Sequence, residues 1–374
     1  MEPAEDRLVA AIARVLSGPG PEVRVGVGDD AAVLASPRGE LLLTTDLLVE
    51  GVHFDRSRTA ARDLGWKAVA VNVSDVAAMA GSPRYAVVGL GLPADVGEPW
   101  VVELYGGMRA ACDEHALWLV GGDLSRADRV LISVAVAGEA PPGAAVTRAG
   151  ARPGDRVVVT GSLGAAAGGL RLARLGSPEA GGAAASAAGR ALLAAHLRPT
   201  ARVGEAGALA RAGATAMIDV SDGLALDLWR LCRASGVGAR ISLPDVPVAP
   251  ALVELAGVLG ADPLELALGG GEDYELLATL PPEAVDAAER HPLAAAPRAV
   301  DIWLVELSDP EALLASLVDP DPTEVPPYSS VRAQCSEVKP GQLALVSRDI
   351  FILEKSGALL QAVIGSGSVE KEAA

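Results

Sequence analysis

The sequence predicts an α/β protein of two domains, on three observations. Short apolar runs of strand length alternate along the chain with longer runs of helical periodicity. The chain has 374 residues and half of them are apolar, whereas a single core stops growing near about 250 to 300 residues. Several predicted strands are followed by acidic motifs, and ligands of α/β sheets bind beyond the carboxyl ends of the strands.

The first domain is predicted to span residues 1–146. Its strands are predicted over 41–44, 86–90, 118–120 and 130–136, and its helices over roughly 60–80 and 98–115. Residues 147–155 are polar and rich in turn formers, which indicates a domain boundary at this point.

The second domain is predicted over residues 147–290. A strand is expected at 156–159, a Gly/Ala-rich helical stretch at 164–195, a further strand at 215–218 and a helix from 221 to about 234. Residues 291–374 differ in composition and contain a Pro-rich segment at 319–327. Apolar runs at 343–347 and 350–353 indicate a small β unit or a weakly folded tail, to which the sequence assigns no function.

Charge and cysteine content exclude several classes of function. The formal net charge of −17 argues against a nucleic-acid or acidic-membrane partner, because either would require a dense Lys/Arg face. Three widely spaced cysteines suggest neither a disulfide framework nor a zinc site. The acidic N-terminus is unlike a secretory signal, and no long apolar run predicts a membrane span. We expect a cytoplasmic enzyme.

Acidic motifs recur in order along the chain and indicate one site assembled from scattered carboxylates. Oxygen ligands of this kind suit hard cations such as Mg²⁺. The motifs are Gly28-Asp29-Asp30, Thr44-Thr45-Asp46, Asn72-Val73-Ser74-Asp75, Gly121-Gly122-Asp123, Asp219-Val220-Ser221-Asp222-Gly223 and Gly269-Gly270-Gly271-Glu272-Asp273-Tyr274-Glu275.

Each motif also has an ordinary structural interpretation. Gly28-Asp29-Asp30, taken alone, is typical of a solvated turn. Thr44-Thr45-Asp46 and Gly121-Gly122-Asp123 are each predicted to end a strand, and each alone could be a turn. Asn72 and Asp75 lie three apart and therefore share an otherwise apolar helix face, where a carboxylate needs a partner.

The last motifs and the glycine clusters leave similar alternatives. Ser221 is a good N-cap, and Asp222 would then lie in the first helical turn, which leaves only Asp219 unexplained. The glycine cluster 161–164 with 168–169 indicates helix packing first and a phosphate cradle second. The chain has no Gly-Lys pair, so it contains no P-loop, and it has no Gly-x-Ser-x-Gly motif.

Taken together, the motifs resemble those of the thiamine-monophosphate kinase family. The resemblance rests on residues 27–34, 44–46 with 49–54, 67–83, 218–228 and 270–277, and it extends over about 5–290. It implies a two-domain, aminoimidazole-ribonucleotide-synthetase-like α/β (α+β) fold, whose N-terminal domain forms a dimer-spanning β-barrel in a homodimer. The implied reaction phosphorylates thiamine monophosphate with ATP and gives thiamine diphosphate.

The resemblance also implies roles for individual residues. The magnesium ligands would be Asp30, Thr44 or Thr45, Asp46, Asp75, Asp123, Asp219 and Asp222, with Asp29 a ligand or a neighbour of one. Asp75 and Asp222 are the carboxylates on which turnover should depend. Contacts to ATP are implied for Tyr105, Gly122, Arg148 and Ser221, and contacts to the thiamine phosphate for His53 and Glu272. Arg148 could equally be a surface charge, and His53 a packing residue.

Two other functions remain open at the level of sequence. One is another ATP-using enzyme of the same superfamily, although the chain shows no reactive N-terminal or C-terminal Cys motif. The other is a non-catalytic nucleotide-binding dimer, because the family's usual C-terminus has no match after about residue 291.

Overall fold

The structure, a computed structural model, describes residues 4–16, 23–25, 32–34, 38–289, 298–306, 349–355 and 358–363. The helices are α1 Ala4–Leu16, α2 Ala61–Ala78, α3 Glu98–Glu114, α4 Ala165–Arg174, α5 Pro178–Ala184, α6 Ala187–Leu197, α7 Val203–Ala212, α8 Leu224–Ser235, α9 Pro250–Leu259, α10 Pro263–Gly269 and α11 Pro282–Glu289. The strands are β1 Val23–Val25, β2 Val33–Leu34, β3 Glu40–Val49, β4 Ser82–Leu92, β5 Trp118–Arg126, β6 Leu131–Ala140, β7 Arg156–Val159, β8 Ala216–Asp219, β9 Val237–Ser242, β10 Leu276–Leu280, β11 Arg298–Glu306, β12 Asp349–Lys355 and β13 Ala358–Val363.

A four-stranded sheet forms the first domain, in the order β3-β6-β4-β5. The β4–β5 pair is parallel, and the β3–β6 and β4–β6 pairs are antiparallel. Alternation along β3 buries Leu42 and Leu48 against the helices, whereas Leu41, Leu43 and Leu47 on the opposite face are 51–73% exposed. Among the described residues, these three leucines have no covering layer, whereas Ala137, which pairs with Leu43, packs in a small cluster with Val23 and Tyr85.

Helix α2 is buried on nearly every side and connects the two domains. Its apolar residues pack on the sheet, on α3 and on the second domain, as expected for a helix that is apolar all round. Glycines make the contact with α3 possible, because a Cβ on Gly65 would lie 1.9 Å from the Leu104 carbonyl oxygen and one on Gly107 would lie 1.8 Å from that of Arg62.

The second domain is built on a seven-stranded antiparallel sheet, in the order β13-β12-β9-β11-β7-β10-β8. The predicted strand at 156–159 coincides with β7, and the one at 215–218 corresponds to β8. The apolar run at 350–353 lies in β12, which forms a hairpin with β13 beside β9. The run at 343–347 and the Pro-rich segment lie outside the described residues.

Two strands of the first domain are longer than the sequence predicted. β3 continues to Val49 and β5 to Arg126, so that Thr44-Thr45-Asp46 and Gly121-Gly122-Asp123 lie within strands and do not end them. The expectation of strand ends was therefore wrong. Backbone pairing with β6 and β4 continues past both motifs, and such tertiary pairing outweighs the weak strand preference of Gly and Asp.

Among the described residues, no helix combines the length and the apolar character that a bilayer crossing requires.

Gly65→Ala tests the close packing of α2 on α3. We expect a loss of about 1–3 kcal/mol in the free energy of unfolding, because the added methyl group meets a backbone carbonyl that cannot rotate away. The control is Gly257→Ala in α9, where an added Cβ meets nothing within 4 Å. That change should stabilise by up to about 1 kcal/mol through helix propensity. Urea unfolding of both variants measures the difference, and equal effects would contradict the packing argument.

Candidate functional site

Asn72 fixes strand β3 on helix α2 and thereby places Asp46. It is fully buried, its Nδ2 donates to the Ala68 carbonyl at 3.0 Å, and its Oδ1 accepts the Asp46 backbone N–H at 2.8 Å. Both polar ends of the amide are therefore satisfied without solvent. Asn72 and Asp75 lie on the same face of α2, as predicted, and the side chains of both contact β3.

Thr44 and Asp75 form the second contact between the same two elements. The Thr44 hydroxyl donates to Asp75 Oδ2 at 2.5 Å. The two-residue period of a strand puts Thr44 and Asp46 on the side of α2 and turns Thr45 to the other face. There the Thr45 hydroxyl donates to the Val134 carbonyl at 3.1 Å. Of the two predicted threonine hydroxyls, the structure brings only that of Thr44 to the carboxylates.

Asp219 of the second domain joins this group across the domain boundary. It is the last residue of β8 and is 3% exposed, and it accepts a hydrogen bond of 2.7 Å from the Ser74 hydroxyl. Burial, and then the charge of Asp75, raise the pKa of Asp219 to about 7. The charge of Asp75 therefore acts on both Asp46 and Asp219.

Asp46 and His53 lie on the outer side of this group. Burial raises the pKa of Asp46 above its ordinary value, and the charge of Asp75 adds to the rise, whereas His53 acts in the opposite direction. His53 is exposed, and its Nδ1 accepts the Val49 backbone N–H at 3.0 Å. In the neutral ring the proton therefore lies on Nε2. The predicted substrate residue is thus held at the rim of the acidic group.

The segment that precedes helix α8 differs from the capped start that Ser221 suggested. The helix begins at Leu224, and the N-cap is Gly223 with φ of +110°, so the alternative with Ser221 as N-cap was wrong. Asp227 takes the capping role, because its Oδ2 accepts the backbone N–H groups of Asp222 at 2.8 Å and Gly223 at 3.1 Å.

Asp222 therefore lies outside the helix and projects from the turn. Its side chain is 52% exposed and pairs with Arg230, which also donates to Asp227 at 2.7 Å. Burial raises the pKa of Asp227 above its ordinary value. Asp227 is a buried structural carboxylate that belongs to none of the predicted motifs, whereas Asp222 is exposed and Ser221 is half-buried.

Residues 270–275 connect α10 to β10, and the turn of the chain at 272–274 packs against the strand end carrying Asp219. The Glu272 N–H donates to the Ser221 carbonyl at 2.8 Å, and the Tyr274 N–H donates to the Val220 carbonyl at 2.9 Å. Glu272 has φ of +69° and Tyr274 has φ of +51°. A left-handed conformation at a non-glycine residue costs on the order of 1–3 kcal/mol, and such residues cluster at functional sites.

Glu272 contacts two basic side chains of the protein itself. Its Oε1 lies 2.8 Å from Lys67 Nζ, and its Oε2 lies 3.1 Å from His196 Nδ1. Burial works to raise the pKa of Glu272, but the contact with His196 and the charge of Lys67 prevail and lower it to about 2. The contact of Glu272 with substrate stays a prediction, and here both carboxylate oxygens are engaged by the protein.

Asp273 resolves the two interpretations of the glycine cluster at 161–164. Its carboxylate accepts the backbone N–H groups of Gly164 at 2.7 Å and Ala166 at 3.2 Å, at the start of α4. Burial raises the pKa of Asp273 to about 7 despite these hydrogen bonds. The helix terminus that could have held a phosphate thus holds the chain's own carboxylate, and Gly169 packs against the Leu192 carbonyl of α6.

Tyr274 follows in the same turn and lies among the acidic residues. Burial raises the pKa of its phenol well above the ordinary value, and surrounding carboxylates add to the rise. These carboxylates are Glu272, Asp219, Asp46 and Asp75. A neutral phenol can donate a hydrogen bond where every neighbouring oxygen is an acceptor. The sequence motif contained this tyrosine, but only the fold shows which side chains surround it.

The remaining predicted residues are scattered around the site. Gly122 is required sterically, because a Cβ there would lie 2.1 Å from the Val88 carbonyl oxygen. Asp123 is exposed and accepts a hydrogen bond of 3.1 Å from the Ser125 hydroxyl. Arg148 is exposed, and its charge acts to lower the pKa of Asp219.

Tyr105 lies apart from this group. It is 3% exposed in the core of the first domain, and burial raises its pKa far above the ordinary value. Asp29 and Asp30 lie outside the described residues. The structure therefore brings together Thr44, Asp46, Asp75 and Asp219 most closely.

The donor set fits Mg²⁺ that is held jointly by protein and phosphate. In the part of the chain that the structure describes, no three His, Cys, Asp or Glu side chains converge closely enough to hold one ion alone. Mg²⁺ usually keeps several waters and binds through one or two carboxylates together with substrate phosphates. Paired carboxylates with a hydroxyl nearby, such as Asp46, Asp75 and Thr44, suit that mode.

Comparisons with known proteins agree with this geometry. Residues 28–140 match the family model for the AIR synthase related protein, N-terminal domain, and residues 152–306 match that for the C-terminal domain. The chain is 41% identical over 257 residues to the thiamine-monophosphate kinase of Aquifex aeolicus strain VF5, a match that covers 69% of this chain and 81% of the relative.

Solved structures show the same likeness. The crystal structure of thiamine-monophosphate kinase from Stenotrophomonas maltophilia K279a superposes with a TM-score of 0.67 at 36% identity, covering 80% of this chain and 92% of that chain. AaThiL complexed with AMPPCP and TMP superposes with a TM-score of 0.66 at 36% identity, covering 82% of this chain and 93% of that chain.

Asp219→Asn tests the electrostatic cost of burying this carboxylate. In metal-free buffer, the wild type should lose stability through Asp219 as pH rises from about 4 to 7, because the folded pKa lies above the unfolded one and the ionised form is disfavoured. In Asp219→Asn the side chain stays neutral at every pH, so this loss of stability does not occur. The variant's stability relative to wild type should therefore increase by about 2 kcal/mol between pH 5 and pH 8, measured by urea unfolding. Asp123→Asn is the control for removing one exposed charge, and the same pH trend in both variants would contradict the assignment.

Proposed function

The chain belongs to the thiamine-monophosphate kinase family and is a phosphotransferase of that kind, and we propose that it transfers the γ-phosphoryl group of ATP directly to thiamine monophosphate with several Mg²⁺ ions. This proposal rests on the proximity of Asp75 and Asp219, which meet where the two domains join. These carboxylates come from different domains, and they act on each other across the boundary. A site shared by two domains suits two phosphorylated substrates.

We assign the metal-binding role to the acidic residues that border this junction. Asp46, Asp75 and Asp219 form its centre, and Thr44 orients Asp75. Asp222 projects from the turn before α8, and Asp123 and Asp30 complete the set by resemblance. Arg148, Gly122 and Ser221 are assigned to ATP, and His53 and Glu272 to the acceptor, on the same basis, whereas Tyr105 is buried in the core of the first domain and is not assigned to ATP.

The proposed chemistry requires no general base. The acceptor is a phosphate monoester with a second pKa near about 6, so a nucleophilic oxygen is already ionised at neutral pH. The obstacle is repulsion between two polyanions, since two unit charges about 4 Å apart repel by about 4 kcal/mol at an effective dielectric of about 20. Bound Mg²⁺ would neutralise this charge and align the phosphates.

The protein's own residues prepare that arrangement. The hydrogen bonds of Asn72, Thr44 and Ser74 hold α2, β3 and the end of β8 together and so position the carboxylates. No free histidine or lysine is needed as a proton acceptor. Orientation of reactants is worth several kcal/mol of barrier in such reactions, and rigid elements supply it here.

We also propose that the protein is a homodimer joined through the first domain. Leu41, Leu43 and Leu47 of β3 and Val87 of β4 are exposed. A contiguous apolar face of this kind marks an interaction surface. Two such sheets packed face to face would close the dimer-spanning barrel that the resemblance implies.

The direct test is an assay of the purified chain with Mg-ATP and thiamine monophosphate, followed by conversion of the products to fluorescent thiochrome derivatives. We expect thiamine diphosphate and ADP in equal amounts. Binding of ATP without product would favour the non-catalytic dimer, and ATP consumption without thiamine diphosphate would favour another substrate of the superfamily.

Asp75→Ala and Asp222→Ala should each lower kcat/KM by about 100-fold or more, because each removes a proposed metal ligand that stabilises the transition state. Circular dichroism should show that both variants remain folded. Asp95→Asn removes an exposed carboxylate that pairs with Arg56 and is the matched control, with an expected rate near that of wild type. Near-normal rates in both site variants would refute the metal assignment.

Leu43→Asp should convert the dimer to a monomer, because it places a charge at the centre of the proposed interface. Sedimentation velocity measures the change in mass. Val253→Asp is the control, since Val253 is an equally apolar residue of the second domain and is 55% exposed. The proposed interface would be refuted if the wild-type chain sediments as a monomer, or if the Leu43→Asp variant remains dimeric.

A further inference from the structure

Lys67 is the first lysine of the chain, and its side chain is buried. The chain contains four lysines, and the other three lie at positions 339, 355 and 371. The Lys67 side chain is 5% exposed, and its Nζ lies 2.8 Å from Glu272 Oε1. A buried ammonium of this kind requires a partner. The partner lies in the other domain, so the ion pair crosses the domain boundary.

Lys67 and Ser74 present two polar contacts from one helix face to the second domain. They lie seven residues apart on α2, which is two helical turns or about 10 Å along the axis. Lys67 contacts Glu272, and Ser74 donates to Asp219. The same helix therefore holds both the turn at 272–274 and the strand end that carries Asp219.

The 272–274 turn is anchored at each of its three residues. Glu272 contacts Lys67 and His196, Asp273 accepts the first backbone N–H groups of α4, and Tyr274 donates its N–H to Val220. Glu272 and Tyr274 both have positive φ. A turn with two strained residues persists only where its surroundings hold it, and strain held in this way points to a function.

Backbone hydrogen bonds connect this turn directly to Asp219. The residues that follow Asp219 are Val220 and Ser221, and their carbonyls accept the N–H groups of Tyr274 and Glu272. A displacement of Glu272 would therefore move the strand end. Holding the strand end matters because Asp219 lies beside Asp75, and two carboxylates without a cation repel each other.

We propose that Lys67 is a positioning residue, which holds Glu272 and through it the 272–274 turn, so that Asp219 stays beside Asp75 where cations can bind. Lys67 does not touch the phosphates in this scheme. The proposal rests on the metal site proposed above, and it assigns Glu272 a structural role before any substrate binds.

Mg²⁺ binding by charge-changing variants tests this role. Lys67→Met and Glu272→Gln should each weaken Mg²⁺ binding by about tenfold or more, as loss of supporting contacts does at metal sites. The double variant should be no weaker than either single one, because both changes break the same contact. Titration calorimetry with Mg²⁺ at a saturating non-hydrolysable ATP analogue gives the affinity, and the rise in Tm with Mg²⁺ in the presence of the same analogue gives a second readout.

The matched control is Arg198→Met. Arg198 pairs with Asp63, one turn before Lys67 on the same helix, and follows α6, which carries His196. This ion pair also crosses the domain boundary but does not touch Glu272. Its loss should lower Tm without changing the affinity for Mg²⁺. Glu272→Gln keeps the size of the side chain and serves if Lys67→Met does not fold.

Each other outcome would overturn the proposal in a recognisable way. If the charges act only through the local potential, Lys67→Met tightens Mg²⁺ binding, Glu272→Gln weakens it and the double variant returns to wild type. If the ion pair only stabilises the fold, Tm falls in all variants and Mg²⁺ binding does not change. If the wild type itself binds no Mg²⁺ in the presence of the nucleotide analogue, both the proposed metal site and the proposed positioning role are refuted.

Discussion

Repulsion between carboxylates of two domains is the constraint on which the rest of the site depends. Asp46 and Asp75 belong to the first domain and Asp219 to the second, and burial, together with the charge of Asp75, raises the pKa of both Asp46 and Asp219. Helix α2 opposes this repulsion through contacts on both sides. It is buried almost completely, so it cannot move without disturbing both cores.

Two helices of the second domain, α4 and α8, are capped at their N-termini by aspartate side chains of the chain itself. Asp227 caps the start of α8, and Asp273 caps the start of α4. Both helix N-termini could otherwise attract a phosphate group. With these two termini occupied, the proposed cations, held by the remaining carboxylates, would bind polyanionic substrates to a chain with a net charge of −17.

The turn at 272–274 shows how one motif can combine several tasks. Its three side chains point to a basic pair, to a helix terminus and to the acidic group, respectively. Alternate positive φ values make this divergence possible. The fold makes the turn a link between α2, α4 and the strand end at Asp219.

The α/β class, the two-domain organisation, the main helices and the acidic motifs can be predicted from the sequence, because they follow from local periodicity and from residue types. The family can be recognised as well, because the motifs occur in order. The three-dimensional fold was needed to show that Thr44 and not Thr45 turns its hydroxyl to Asp75, that Asp227 and not Ser221 caps α8, and that Glu272 contacts Lys67 and His196. These facts depend on strand register, on the exact start of a helix and on contacts between residues about 200 positions apart. Local patterns carry no information on such contacts, since pairing and packing across the chain fix them.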